Sequence, residues 1–424
     1  MKPVIGYAGM THLGLNSAAA AAARGFDVVC FDSDPEQLAK IRAGDLPVVE
    51  PGLAEALAKH GNRLSLTAKV DDLGRCDVIY VAPDVATNDD GISDLSAVKA
   101  LLATVTSRAR SDAVAVILSQ VPPGFTRDHA QAGRMLFYQV ETLIFGQAVA
   151  RALDPERIIV GCADPARPLP PPYRAFLDVF GCPILAMRYE SAELAKIAVN
   201  CFLAAQISTA NTLAELCERV GADWREIVPA LRLDRRIGAH AYLKPGLGIA
   251  GGNLERDLAT MIDIADSFGA PSGVVKAWVE NSNHRKLAAA RILKERVLPG
   301  LAGPIIAVWG LAYKENTNSL KNAPSLATIA ALPDVAFQVH DPVVAADSLA
   351  LANAVGKTDP LATAKGADAL LILTPWPIYA SIAPAAVAKA MRGRAVIDPF
   401  GVLDAVAASE AGLDYYTLGA SGDG

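Results

Sequence analysis

Short, almost wholly apolar runs separated by helix-forming stretches constrain this chain more than any other feature. Residues 3–8 (PVIGYA) form the first run and Asp27–Phe31 (DVVCF) the second; Val78–Ala82, Ala113–Leu118 and Arg157–Gly161 follow. Runs this short and this uniformly apolar suit strands covered on both faces, and their alternation with helical pattern predicts a parallel, doubly wound sheet. The strand signal then stops. Glu190–Arg219 has helical periodicity, and helical character resumes over Leu258–Val297. A second series of apolar runs occupies Pro304–Trp309, Ala336–Val339, Ala369–Leu373 and Ala395–Ile397. Arg167–Pro172 (RPLPPP) reads as a loop.

The first strand is followed by Gly9-Met10-Thr11-His12-Leu13-Gly14 and an Ala-rich helix expected over Leu15–Arg24. This is a dinucleotide fingerprint with its second glycine replaced by Thr11. In the intact pattern the first glycine turns the chain, the second admits the pyrophosphate and the third packs helix on strand. Asp32 ends the next strand, 23 residues after Gly9, where an acidic group binds the ribose hydroxyls of NAD. No arginine follows it directly to favour a 2′-phosphate, so NAD is expected rather than NADP. An ordinary βα turn is the plainer reading of these six residues alone. The fold expected is α/β: two Rossmann-like doubly wound parallel-sheet domains joined by a central helical domain, with boundaries at 1–188, 189–300 and 301–424.

Leu243–Asp257 (LKPGLGIAGGNLERD) packs Gly246, Gly248, Gly251 and Gly252 into seven positions. Glycine at that density lets backbone approach a ligand closely, and it is costly to order. Upstream, Lys196 and Asn200 stand four residues apart on one helix face, amid Leu194, Ala195, Ile197, Ala198 and Val199. A lysine and an asparagine one turn apart are most often a solvated face; the apolar neighbours argue against that here. Asp257 has a plain explanation as a helix N-terminal acid.

These segments, in this order, resemble the UDP-glucose/GDP-mannose dehydrogenase family along nearly the whole chain. Asp45–Leu53, Asp94–Val98, Ser119–Thr126 (SQVPPGFT) and Asp154–Gly161 (DPERIIVG) are similar to successive family segments, as are Ala192–Asn211 and Asp234–Gly238. Gly310–Lys314 (GLAYK), Ala323-Pro324-Ser325, His340-Asp341-Pro342 and Ala367–Trp376 continue the likeness. The resemblance implies an NAD domain, a central dimerisation domain and a nucleotide-sugar domain. It also implies oxidation of a sugar C6 alcohol in two hydride transfers, the aldehyde being held on a cysteine between them. It places cofactor contacts at Gly9, Thr11, His12, Leu13, Gly14, Asp32, Pro83, Ser119 and Gln120. Catalytic positions fall on Lys196, Asn200, Asp257, Glu141 and Asn253. Substrate contacts fall on Glu141, Lys196, Asn200, Arg236, Tyr242, Leu243, Gly248, Gly251 and Lys314.

The departures cluster. Where the family has its nucleophilic cysteine this chain has Asn253, and an amide offers no lone pair comparable to a thiolate. Gln120 replaces a threonine and Phe145 an acidic residue. Ala250-Gly251-Gly252 stands for Gly-Gly-Ser, and Lys321 ends the segment Thr317–Lys321 where the family has arginine, which is no equivalent where a planar fork is needed. The expected function is therefore an NAD-dependent oxidoreductase acting on the C6 alcohol of a UDP- or GDP-sugar, UDP favoured by analogy, that either stops at the aldehyde or proceeds without a covalent step. An epimerase using bound NAD and a non-catalytic NAD- and sugar-binding relative are the alternatives.

Composition agrees. The 424 residues are 52% hydrophobic and 20% charged with net charge −6, which gives no support for nucleic acid or an anionic membrane as partner. No run of about 20 residues reads as a membrane span. The opening MKPVIGYAG reads as a strand rather than a leader, and six cysteines lack CxxC spacing. A cytoplasmic homodimer without a metal is expected, dimerised through its central helices.

Overall fold

Five strands of the first half are buried at every residue: Ile5–Ala8 (β1), Val28–Phe31 (β2), Val78–Val81 (β4), Val114–Ile117 (β7) and Ile158–Cys162 (β9). Only a sheet covered on both faces gives this pattern. Leu64–Thr67 (β3) lies between β2 and β4 in sequence, and Ala86–Thr87 (β5) pairs with Ser93–Asp94 (β6) as a small separate ribbon. Met135–Gln139 (β8) and Ile184–Arg188 (β10) complete the set. The computed structural model describes residues 2–88, 91–346, 349 and 351–420. The chain divides into two compact units, Met1–Val199 and Asn200–Gly424.

In the first unit the strand order is β10-β9-β8-β7-β4-β1-β2-β3, parallel throughout except for the antiparallel β8–β9 pair. From β1 the chain winds outward through β2 and β3, then returns to place β4 on the other side of β1. The order therefore reverses between β1 and β4, and the crevice at the carboxyl ends of those two strands is where such sheets bind ligands. The helix over His12–Ala23 covers one face; Leu13, Leu15 and a series of buried alanines pack it closely on the sheet. It starts three residues before the expected Leu15, because the turn is completed by Thr11. Of the proline run expected as loop, Pro171 and Pro172 open a helix, Pro171–Leu177. Proline suits a first turn, whose N–H groups have no helical acceptor.

The second unit repeats the architecture. Ile305–Trp309 (β11), Ala336–His340 (β12), Ala354–Gly356 (β13), Ala369–Ile372 (β14), Ala395–Ile397 (β15) and Asp414–Tyr416 (β16) form an all-parallel sheet ordered β13-β12-β11-β14-β15-β16. Its order reverses between β11 and β14. Both units thus have the α/β, doubly wound, Rossmann-like form expected, with helices preceding β11.

The longest helix, Tyr189–Val220, enters the second unit at Asn200. By length and composition alone it is apolar enough to cross a membrane, contrary to the sequence expectation. Within the second unit its Ala204, Ala210 and Ala214 are instead buried against protein, as are Ser208 and Asn211. Further along, Glu215 lies 2.9 Å from His284 Nε2 and accepts from Arg285 Nη1 at 2.8 Å. Burial alone would raise its pKa; the His284 and Arg285 hydrogen bonds outweigh that and hold it at about 2. A carboxyl whose folded value lies below its unfolded one, about 4.3, adds stability above the latter and loses it as pH falls through the former. Glu215→Gln should therefore destabilise the chain most above about pH 5, and the difference from the native chain should shrink as pH falls toward about 2. Denaturant unfolding at several pH values measures this; a difference independent of pH would contradict it.

Candidate functional site

The first unit carries the dinucleotide turn at its switch point. Gly9 follows β1 with φ of +100°, and a Cβ there would sit 2.8 Å from the Pro83 nitrogen at the end of β4. Gly14 is tighter still, since its Cβ would come within 1.9 Å of the Gly9 carbonyl oxygen. Neither position admits another residue without moving backbone. The Gly9 N–H donates to the Phe31 carbonyl at 2.9 Å, and the Asp32 carboxylate accepts from the N–H groups of Met10 at 2.8 Å and Asp34 at 3.0 Å. Asp32 thus braces the turn and still has lone pairs free to meet ribose hydroxyls. Ser119, fully buried at the end of β7, donates to the Pro83 carbonyl at 2.5 Å, which ties this third strand to the same crevice.

These features fit an NAD molecule: a strand-to-helix turn opened by Gly9 and closed by Gly14, a helix N-terminus beneath it and an acidic group at the end of the second strand. Gly9, Thr11, Gly14, Asp32, Pro83, Ser119 and Gln120 would line it. The ring of His12 is turned elsewhere. It lies 3.1 Å from Glu50 Oε2 and stacks on Phe145 at 4.1 Å between centroids, so only its main chain is available at the turn. Glu50 also accepts from the N–H groups of Gly146 and Ala148 at 3.0 and 2.8 Å. Phe145, read as a lost acidic residue, is therefore part of the packing that fixes His12. Sequence reasoning did not single out Asp84. Its carboxylate accepts from the N–H groups of His12 at 2.9 Å and Leu13 at 3.2 Å, while its own N–H donates to the Thr11 hydroxyl at 2.8 Å. No sequence signal joins residues so far apart.

Also in the first unit, Lys196 Nζ lies 3.4 Å from Glu141 Oε2, and both side chains are largely buried. This brings together two residues that the resemblance names as catalytic. One turn on along the same helix, in the second unit, the Asn200 amide donates to the fully buried Asp257 carboxylate. Asp257 also accepts from Arg256 Nε at 3.2 Å, a neighbour that no sequence motif picks out.

The glycine-rich loop is anchored residue by residue within the second unit. The Leu243 carbonyl accepts from the Trp224 indole at 2.7 Å, and its side chain is buried in an apolar cluster with Trp224, Ala210 and Ala214. The N–H groups of Tyr242, Gly246 and Ile249 donate to Gln206, Asn211 and Ser282, each at 2.8 Å. A Cβ on Gly248, which has φ +81°, would lie 2.4 Å from the Ser282 carbonyl oxygen, and Gly251, at φ +83°, lies under the Tyr313 ring. The Gly251 N–H donates to the Lys321 carbonyl at 3.0 Å. Lys314 sits 5.7 Å from the Tyr313 ring centroid. The loop thus meets both Tyr313 of the GLAYK segment and the Thr317–Lys321 segment. It ends at Gly252, and Asn253 opens the helix Asn253–Ser267, exposed and one turn before Asp257. Glu255, on the same first turn, takes hydrogen bonds from Lys286 and Asn322. Tyr242 is half-exposed. Arg236 is solvent-facing and paired with Asp234, away from the loop's anchoring contacts.

The resemblance puts Asn253 at the position of a nucleophilic cysteine, and none of the six thiols is activated in its stead. All six thiols are free of disulfides, and burial raises the pKa of each, Cys30 and Cys76 to about 12. Cys201, beside Asn200, is pushed up by burial and then by the Asp257 charge, opposite to what a nucleophilic thiolate needs. The loop geometry gives a direct test. Gly248→Ala should destabilise the second unit by about 2 kcal/mol or more, from positive φ together with backbone contact. Thermal unfolding measures it, and a variant as stable as the native chain would show that the loop relaxes freely.

Comparison with known proteins agrees with this geometry. Residues 4–169 match the NAD binding domain of the UDP-glucose/GDP-mannose dehydrogenase family, residues 190–285 its central domain and residues 307–405 its UDP binding domain. UDP-glucose 6-dehydrogenase TuaD of Bacillus subtilis is 31% identical over 97% of this chain and 92% of its own length. UDP-glucose 6-dehydrogenase AglM of Haloferax volcanii is 31% identical over 97% of this chain and 98% of its own. Among solved structures, a UDP-glucose dehydrogenase from Pyrobaculum islandicum superposes with a TM-score of 0.82 at 29% identity, covering 94% of each chain. A matched fold, three domain matches in order and a dinucleotide-type turn lead to one conclusion: this chain belongs to the UDP-glucose/GDP-mannose dehydrogenase family and is an NAD-dependent oxidoreductase of that family.

Proposed function

We propose that this chain oxidises the C6 alcohol of a UDP-sugar to the aldehyde and forms no covalent link to the sugar. The observation that carries the reading is the pairing along one helix. Lys196 faces Glu141, Asn200 one turn later binds Asp257, and the position one turn before Asp257 is an amide, Asn253. NAD, when bound, supplies the hydride acceptor. The sugar C6–H bond breaks with its electron pair leaving as hydride, and the hydroxyl proton leaves for a protein carboxylate through water. Lys196 is an ammonium suited to developing charge on the C6 oxygen, and Asn200 with Asp257 is suited to hold that water. Asn253 can hydrogen-bond an aldehyde and cannot capture it. The UDP-sugar class is supported by the UDP binding domain match and by the UDP-glucose 6-dehydrogenase activity of the relatives.

UDP-glucose is the first probe. One NADH should form per sugar consumed, with an aldehyde that hydroxylamine traps. Two NADH per sugar and a carboxylate product would instead mean that both oxidations proceed through an aldehyde hydrate. Isomerised sugar with no NADH released would mean epimerisation. Lys196→Met should lower kcat by about 100-fold or more while leaving the melting temperature near that of the native chain; an unchanged kcat would remove Lys196 from the mechanism.

Homodimerisation is part of this proposal. Phe202, Leu213, Leu216 and Val220 are exposed at spacings that put them on one stripe of the helix, with Phe202 73% and Val220 66% accessible. A second copy of the same helix suits such a stripe. Phe202→Glu together with Leu216→Glu should convert a dimer to a monomer in light scattering, and a native chain that is monomeric at micromolar concentration would rule the dimer out. A reducing, cytoplasmic setting fits the six free thiols.

A further inference from the structure

We propose that Asp84 is an internal occupant of the pyrophosphate seat, so that a dinucleotide binds only after the Asp84 carboxylate has left the amides of His12 and Leu13. The inference rests on reading the first unit as a dinucleotide site. It concerns a residue that lies outside the fingerprint.

The helix His12–Ala23 offers unpaired N–H groups at its start and has no acidic residue in its own first turn. Thr11, the residue preceding it, makes no side-chain cap to it. The seat is filled from another strand. Asp84 follows β4 and lies 72 positions from His12 in sequence; it receives the His12 and Leu13 N–H groups on separate carboxylate oxygens. A strand, a positive-φ glycine and a helix start present these same amides to a bound pyrophosphate. A carboxylate satisfies them by the same charge-assisted hydrogen bonds and the same favourable interaction with the helix dipole.

Thr11 gains a purpose from this arrangement. It stands where a second glycine would admit the phosphates, and its hydroxyl accepts the Asp84 N–H. One departure from the fingerprint thus fastens the other in place. Asp84 itself is exposed, so nothing packed around its side chain prevents it from swinging away. If it stays nearby, its negative charge opposes that of the incoming phosphates. If it leaves, its two hydrogen bonds are broken first. Both effects weaken binding of the pyrophosphate and leave the adenosine half unaffected.

Calorimetry on the full-length chain tests this with NAD and with adenosine as probes, on the native protein, Asp84→Gly and Asp84→Asn. Asp84→Gly should tighten NAD binding by about tenfold or more, with adenosine affinity unchanged. Asp84→Asn keeps an acceptor for the helix amides and removes the charge, so it should retain the native melting temperature and tighten NAD by a smaller factor. Should Asp84→Gly fail to fold, Asp84→Asn decides alone. Equal NAD affinity in all three proteins would overturn the role of Asp84 and leave the dinucleotide reading intact. Absence of NAD binding at millimolar concentration in all three would overturn the dinucleotide reading as well.

Discussion

Carboxylates that receive main-chain N–H groups hold this structure's working turns. At the carboxyl end of a parallel strand the chain leaves the sheet, and its next amides lose their ladder partners. An acidic side chain from a neighbouring strand replaces them. Asp32 does this for Met10. Asp341 does it in the second unit, accepting from Leu311 at 2.8 Å and Ala312 at 3.0 Å, while Gly310 donates to the His340 carbonyl just as Gly9 donates to Phe31. Glu193, fully buried, receives the Gly124 and Thr126 N–H groups at 2.6 and 2.8 Å, and Asp398 receives those of Phe400, Val402 and Leu403. Burial pushes the pKa of Glu193 and Asp398 up while these hydrogen bonds pull it down, and burial is the larger effect in both. Such contacts fix the loop backbone more firmly than packing alone would, because each unmade bond leaves a buried donor unsatisfied.

The central strands were legible in the sequence because they are buried on both faces: β1, β2, β4, β7 and β9, and β11, β14 and β15 in the second unit, all fall on the apolar runs. The strands that were missed have a different physical character. Ile184–Arg188, Ala354–Gly356 and Asp414–Tyr416 lie at sheet edges with mixed exposure, and Met135–Gln139 alternates between buried and half-buried residues. Half-exposed strands carry polar residues on the open side, so no continuous apolar run announces them. The site was legible in the same uneven way. Glycines needed for steric reasons are visible as glycines. The acids that brace them are scattered among the chain's 45 acidic residues and acquire meaning only through pairings across many tens of positions. Asp84 and Glu255 belong to this second group.

None of the six thiols is activated as a nucleophile. Burial makes every cysteine a weaker acid, and Asp257 adds to that effect at Cys201, the one next to Asn200. The amide at Asn253 stands on the first turn of a helix whose Asp257 already binds Asn200 and Arg256. On the proposed reading, the groups that move a proton and steady an oxygen, Lys196, Asn200 and Asp257, are separable from the one that would trap a carbonyl carbon.

Gly9 and Gly14 have a consequence for how such a chain can change over generations. With no space for a Cβ at either position, the strand-to-helix junction is closed to variation, since almost any replacement there would strain the fold itself. Selection can adjust the site only at Thr11 or from a neighbouring strand's end, at positions where a side chain can come and go while the sheet stays intact. Residue 84 is such a position. A lineage could open or close its cofactor seat there by single steps, each reversible, with the scaffold left untouched.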